Sequence, residues 1–80
     1  MKLNEIKAFA ALAPPKYQKL VVELAQYVQL SPKYKNYEIS HLELDTSRDD
    51  CSFLRVSMKH KTNPYELAPS IDFILERELK

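Results

Sequence analysis

The side chains of this 80-residue chain that most invite a chemical reading are a run of aspartates, two histidines and one cysteine. Asp45, Ser47 and Asp49 occupy the alternating ligand positions of a calcium-binding loop. The sixth position of such a loop needs glycine for its sharp turn and here holds Asp50; the twelfth needs a bidentate glutamate and holds Val56. Residues 45–50 therefore read as a solvated hairpin turn, in which Asp and Ser bond nearby backbone, and no metal is expected. Cys51 stands alone, so neither an internal disulfide nor a cysteine-built zinc site is available within one chain. His41 and His60 belong to predicted strands whose register keeps both away from Cys51, so no nucleophile and base meet. No pair of carboxylates lies in an apolar setting that would separate their pKa values. The chain also contains no glycine. Walker loops, dinucleotide-binding turns and nucleophile elbows all depend on glycine for positive φ or close backbone approach. A non-enzymatic protein without a cofactor is the expectation.

A second group of residues points to binding. Lys33, Tyr34, Lys35 and Tyr37 lead into the first predicted strand, and Lys59, His60 and Lys61 leave the second. Antiparallel pairing brings the two segments together at the open end of a hairpin. Lysines interleaved with tyrosines suit phosphate contact and base stacking, and an acidic protein surface would satisfy the same patch. Asp45, Asp49 and Asp50 collect at the other end, so the molecule is polarised although its net charge is only +1. The plainer role of such lysines is to stay solvated and discourage edge pairing.

The elements that must carry these groups follow from periodicity. Residues 4–13 read as a helix, with Asn4 as N-cap and Leu3, Ile6, Phe9, Ala10 and Ala13 at helical spacing; Pro14 and Pro15 stop it. Residues 16–30 form a second helix, with Tyr17, Leu20, Val21, Leu24, Ala25 and Val28 on one face. Ser31-Pro32 then starts a short helical turn. From Tyr37 the period changes to two, and residues 37–45 and 52–61 read as strands. Pairing Leu44 with Leu54 and Leu42 with Val56 also sets Glu43 opposite Arg55 and His41 opposite Ser57. Ile39 falls out of phase with Leu42 and Leu44, which predicts a bulge near Ser40. Asn63-Pro64-Tyr65-Glu66 matches the N-cap, N1-proline and N3-glutamate pattern of a helix start. Pro69 breaks that first turn, and Ser70 recaps a second piece running to Leu79, with Leu67, Ile71, Ile74, Leu75 and Leu79 as its buried stripe. The expected fold is α+β in the order α-α-β-β-α: a single domain over residues 1–80, with an N-terminal helical hairpin and a C-terminal helix packed on a two-stranded hairpin.

That last helix leaves Phe73 on a charged face beside Arg77, and Val22 is similarly placed on the second helix. An apolar side chain so placed anchors an interface, and a small domain gains core by pairing with a copy of itself. The leading expectation is therefore an interaction module, a regulator or inhibitor that binds a protein partner, as a homodimer, through Phe73, Arg77 and Val22. The alternative is a nucleic-acid-binding regulator using the basic-aromatic patch. Helices followed by a hairpin are similar at the level of fold to winged-helix proteins, with the hairpin as wing; that similarity implies DNA or RNA binding. The chain departs from the pattern because no separate polar recognition helix precedes the hairpin, and the second helix offers only Lys16, Lys19 and Gln26 outward. The longest apolar stretch, residues 8–13, is too short for a bilayer span, and Glu5 argues against a secretory signal. A cytoplasmic protein, bound to no membrane, is expected.

Overall fold

The computed structural model describes residues 1–47 and 51–77. Two helices, α1 (Leu3–Ala11) and α2 (Pro15–Leu30), are followed by a single 3₁₀ turn at Pro32–Tyr34 and by three strands, β1 (Tyr37–Asp45), β2 (Cys51–His60) and β3 (Ser70–Arg77). The strands form one antiparallel sheet in the order β1-β2-β3. The class is α+β, as expected, but the architecture differs: the segment expected as a C-terminal helix on a two-stranded hairpin is a third strand. Leu79, at the end of the expected helix, lies outside the described residues. No described helix is long and apolar enough to cross a membrane.

Prolines set the helix boundaries. Pro14 is the N-cap of α2 and Pro15 its first residue, where a missing N–H costs nothing. α1 begins two residues earlier than Asn4 suggests, with Lys2 as N-cap; the Glu5 carboxylate accepts the Lys2 backbone N–H at 3.1 Å. Without glycine, no described residue has positive φ. The carbonyl of Ala13, past the end of α1, instead accepts the Gln18 side-chain N–H at 3.0 Å.

The core lies between the helices and one face of the sheet. α2 contributes Tyr17, Val21, Ala25 and Val28, and α1 contributes Ile6 and Ala10. Against them stand Ile39, Leu42, Leu54, Val56 and Met58. The expected β1–β2 register holds: Leu42 pairs with Val56, Glu43 with Arg55, Leu44 with Leu54 and His41 with Ser57. The ladder shifts between Ile39 and His41, so a bulge at Ser40 lets Ile39 and Leu42 share the buried face although they are three residues apart.

β3 is a strand because that solution satisfies more of the chain. Residues 71–75 (Ile-Asp-Phe-Ile-Leu) fit both periods. As a helix they would bury Ile71, Ile74 and Leu75 and strand Phe73. As a strand they place Ile71, Phe73 and Leu75 against the core and leave Ile74 57% exposed on the opposite face. β3 also supplies hydrogen-bond partners to the second edge of β2, which a two-stranded hairpin would leave bare. Arg55 consequently acquires a partner on the third strand: its Nε and Nη2 reach the two Asp72 carboxylate oxygens at 2.9 and 3.2 Å.

A second irregularity ties β3 to the helices. Phe53 pairs with Ile74 but Ser52 pairs with Glu76, so Leu75 is an extra residue and Glu76 turns to the helix side beside buried Ser52. There the Tyr17 hydroxyl donates to the Glu76 carboxylate, and Lys16 Nζ lies 2.9 Å from the same carboxylate. The Tyr17 hydrogen bond, then Lys16, holds the Glu76 carboxyl below its ordinary value of 4.5. Arg55 lowers Asp72 from 3.8 in the same way. Both groups are more acidic folded than unfolded. Their contribution is thus fully present above the unfolded values and is lost as pH falls through the lower folded values. Glu76→Gln keeps an acceptor for Tyr17 but removes the charge. Urea unfolding should show the variant less stable than wild type at neutral pH, with the gap closing below pH 4.5. A gap unchanged in acid would mean the charge contributes nothing.

Candidate functional site

The two basic segments meet as their sequence suggests. The Lys61 N–H donates to the Asn36 carbonyl at 3.0 Å, Tyr37 pairs with His60, and Glu38 with Lys59. Lys33 lies in the 3₁₀ turn with its ammonium 5.5 Å from the Tyr34 ring centroid, and Lys33, Lys35 and Lys61 are exposed. A shallow groove of about 280 Å³ at this end is lined by Met1, Gln29, Tyr37, Glu38 and Lys61.

Two features of this end were not legible as a basic-aromatic patch. Carboxylates sit inside it: Glu38 lies 3.5 Å from Lys59, and Glu66 lies 3.3 Å from His60 Nε2 and accepts the Tyr37 hydroxyl at 3.3 Å. Tyr34 and Tyr37 are also half-buried against the core, and the Tyr37 ring meets His60 edge-on at 5.3 Å. Partial burial, then the Glu66 carboxylate, raises the Tyr37 phenol above its usual pKa.

The β2–β3 connection, residues 61–69, takes the most exposed position. The expected helix start forms only an isolated turn: the Asn63 side-chain oxygen accepts the Tyr65 N–H at 3.1 Å, and the Glu66 N–H reaches the Asn63 carbonyl at 3.3 Å. Pro64 and Pro69 leave too little room between them for a helix. His60 anchors the turn from beneath. Its Nδ1 accepts the backbone N–H groups of Thr62 at 3.2 Å and Asn63 at 3.0 Å, which places the ring proton on Nε2, facing Glu66. Tyr65 and Leu67 flank Glu66 in sequence, and each is 95% exposed. Leu67 was expected in a buried stripe; it stands in solvent because the helix that would have buried it does not form. The signal that could have located this loop is the short Pro64–Pro69 interval.

The remaining candidates are placed elsewhere. Phe73 and Val22, expected on exposed helix faces, are both half-buried against the core, Phe73 on the helix side of β3. The side chain of Arg77 lies outside the described residues. His41 is exposed on the uncovered face of the sheet, in register with Ser57. At the closed end, the Asp45 carboxylate accepts the backbone N–H and the hydroxyl of Ser47 at 3.0 and 2.7 Å, a local turn bond. Asp49 and Asp50 lie outside the described residues. Among the described residues, no cluster of His, Cys, Asp and Glu has the arrangement of a metal site. Comparison of the chain with protein-family models, curated proteins and solved structures finds no match.

Proposed function

We propose that this chain is a non-enzymatic protein-binding module, a regulator or inhibitor that inserts the β2–β3 loop into a cleft of its partner. The observation that carries the reading is the full exposure of Tyr65 and Leu67 on a loop held by His60, Asn63 and Glu66. Large apolar side chains in solvent are costly unless a partner covers them. A loop already hydrogen-bonded into shape loses little entropy on docking. Tyrosine supplies a broad contact surface with a polar tip. Exposed Lys33, Lys35 and Lys61 beside the loop fit a partner whose apolar cleft is rimmed by carboxylates.

The same lysines raised the nucleic-acid alternative. Glu38 and Glu66 among them, and the half-buried state of Tyr34 and Tyr37, favour the protein partner. The test uses the whole chain as bait in an extract of its native host, beside a Tyr65→Ala/Leu67→Ala variant. A protein retained by wild type and lost by the variant is then purified and its affinity measured directly. Lys33→Gln/Lys35→Gln/Lys61→Gln should slow association and flatten its salt dependence while leaving most of the affinity. If the purified protein binds both loop forms equally, the reading fails. Tight oligonucleotide binding that falls steeply with salt and disappears in the lysine variant would replace it with the nucleic-acid reading.

A further inference from the structure

The loop that presents Tyr65 and Leu67 hangs on one imidazole lone pair. Nδ1 of His60 accepts the Thr62 and Asn63 backbone N–H groups at 3.2 and 3.0 Å, and the Thr62 hydroxyl lies 3.3 Å from the same atom. These bonds start the turn, which Asn63 continues by accepting the Tyr65 and Glu66 N–H groups. A neutral imidazole with its proton on Nε2 can make them. A cationic one carries a proton on each nitrogen and accepts nothing. Imidazole is also the side chain whose charge ordinarily changes between about pH 5 and 8.

The two sides of the ring oppose each other. On the Nδ1 side, a second proton would point at two backbone N–H dipoles. Turning the Thr62 hydroxyl to accept it still leaves both amides unpaired and facing a positive charge. On the Nε2 side, Glu66 lies 3.3 Å away and favours the cation. Neutral imidazole already donates to that carboxylate, so protonation strengthens a bond there rather than adding one. The Glu66 side chain is also 46% exposed, where water screens the attraction, and its other oxygen accepts the Tyr37 hydroxyl. β1 sets Tyr37 against the ring, and its phenol, held above the ordinary value, stays neutral in this range. Lys59 leaves β2 on the opposite face, where it pairs with Glu38. Exposed Lys33, Lys35 and Lys61 place like charge at the same end of the molecule. The balance favours the neutral ring while the turn is closed.

We infer that His60 is a pH-sensitive clasp on the docking loop: neutral, it holds the turn, and protonated, it releases it. The clasp rests on the Nδ1 bonds, and its consequence for binding rests on the docking role proposed above. The closed turn requires the neutral ring. Its contribution is therefore fully present in alkaline solution and is lost as pH falls and the ring gains a proton. A released loop must be ordered again on docking, so affinity for the partner falls by roughly tenfold between pH 8 and 5.

NMR on the full chain, with no partner present, tests the clasp. At pH 8 the His60 ring nitrogens should report a proton on Nε2 alone, and backbone relaxation should show residues 62–67 ordered. By pH 5 the ring should carry both protons and residues 62–67 should lose order while β2 keeps its own. The two changes should share one midpoint. His60→Asn should hold the loop at both pH values, because its side-chain oxygen takes the place of Nδ1 and does not titrate. If that variant does not fold, the shared midpoint in the wild type still decides. Glu66→Gln removes the group that favours the cation and should move the midpoint to lower pH. His41 stands on the uncovered face of the sheet, and His41→Gln should leave the transition where it is. A loop equally ordered at pH 8 and 5 would overturn the clasp, as would a proton on Nδ1 at pH 8. So would a loop midpoint different from that of the His60 ring, or a folded His60→Asn that still loses order in acid. Any of these results leaves the docking role standing. A loop that titrates as expected, beside a partner that binds Tyr65→Ala/Leu67→Ala normally, would instead remove the docking role and keep the clasp.

Discussion

Replacing Tyr65 and Leu67 together by alanine is expected to weaken partner binding by roughly 100-fold or more, since truncated anchor residues commonly cost about 2 kcal/mol each. The same change should leave the fold intact. Both side chains are 95% exposed, and the bonds that shape their loop come from His60, the Asn63 side chain and Glu66. Surface substitutions of this kind stay within about 0.5 kcal/mol, which is a shift in Tm of about 2–4 °C for a domain of this size. Titration calorimetry with the purified partner and a thermal melt of each form read the two quantities separately. A variant that binds normally would remove the loop from the interface. One that loses binding and melts far lower would assign Tyr65 and Leu67 a structural role instead.

Leu54→Ala should have the largest effect on stability, about 3 kcal/mol within a usual range of 2–5. Leu54 is 0% exposed on the central strand, between Leu44 and Phe73 in the ladder, and faces the helices. Alanine loses the transfer free energy of the removed atoms and leaves a void that the flanking strands cannot close without breaking register. A loss of about 3 kcal/mol lowers Tm by about 12–24 °C in a domain this small. Total stability in such domains is itself only about 4–12 kcal/mol, so a visible unfolded fraction is expected at physiological temperature. Ile74→Ala provides the contrast. Its side chain lies 57% exposed on the uncovered face of the sheet, and its loss should cost well under half as much. Urea unfolding of both variants measures the difference. Equal costs would show that the helix-covered face is not the dominant core.

Much of the first 60 residues was legible because local rules and global packing agree there. The Tyr17, Val21, Ala25 and Val28 positions of the α2 stripe, the double-proline joint, the 3₁₀ turn after Ser31 and the β1–β2 register emerged as read, including the bulge that Ile39 required. Each residue had one placement that served spacing, turn chemistry and burial together. The last segment was misread because Ile71, Ile74 and Leu75 satisfy a helix while Ile71, Phe73 and Leu75 satisfy a strand. The orphaned Phe73 of the helical reading was the sign of the wrong period. The candidate site divides in the same way. That the segment from Lys33 to Tyr37 meets the segment from Lys59 to Lys61 followed from strand pairing. Glu66, Tyr65 and Leu67 were hidden inside the misassigned helix.

The residue types by themselves determined that no glycine-dependent phosphate loop or nucleophile elbow exists here, that proline sets the helix boundaries, and that two lysine-bearing segments converge at one end of a hairpin. Only the tertiary structure decided that β2 is a central strand, that Glu38 and Glu66 temper the lysines, and that Tyr65 and Leu67 stand in solvent. The reason is physical. A five-residue segment with four apolar side chains carries almost equal helical and extended patterns, and its neighbours in sequence do little to separate them. The unpaired edge of β2 and the unfilled core beside Leu54 and Val56 lie far away in sequence, and they supply the free energy that chooses the strand.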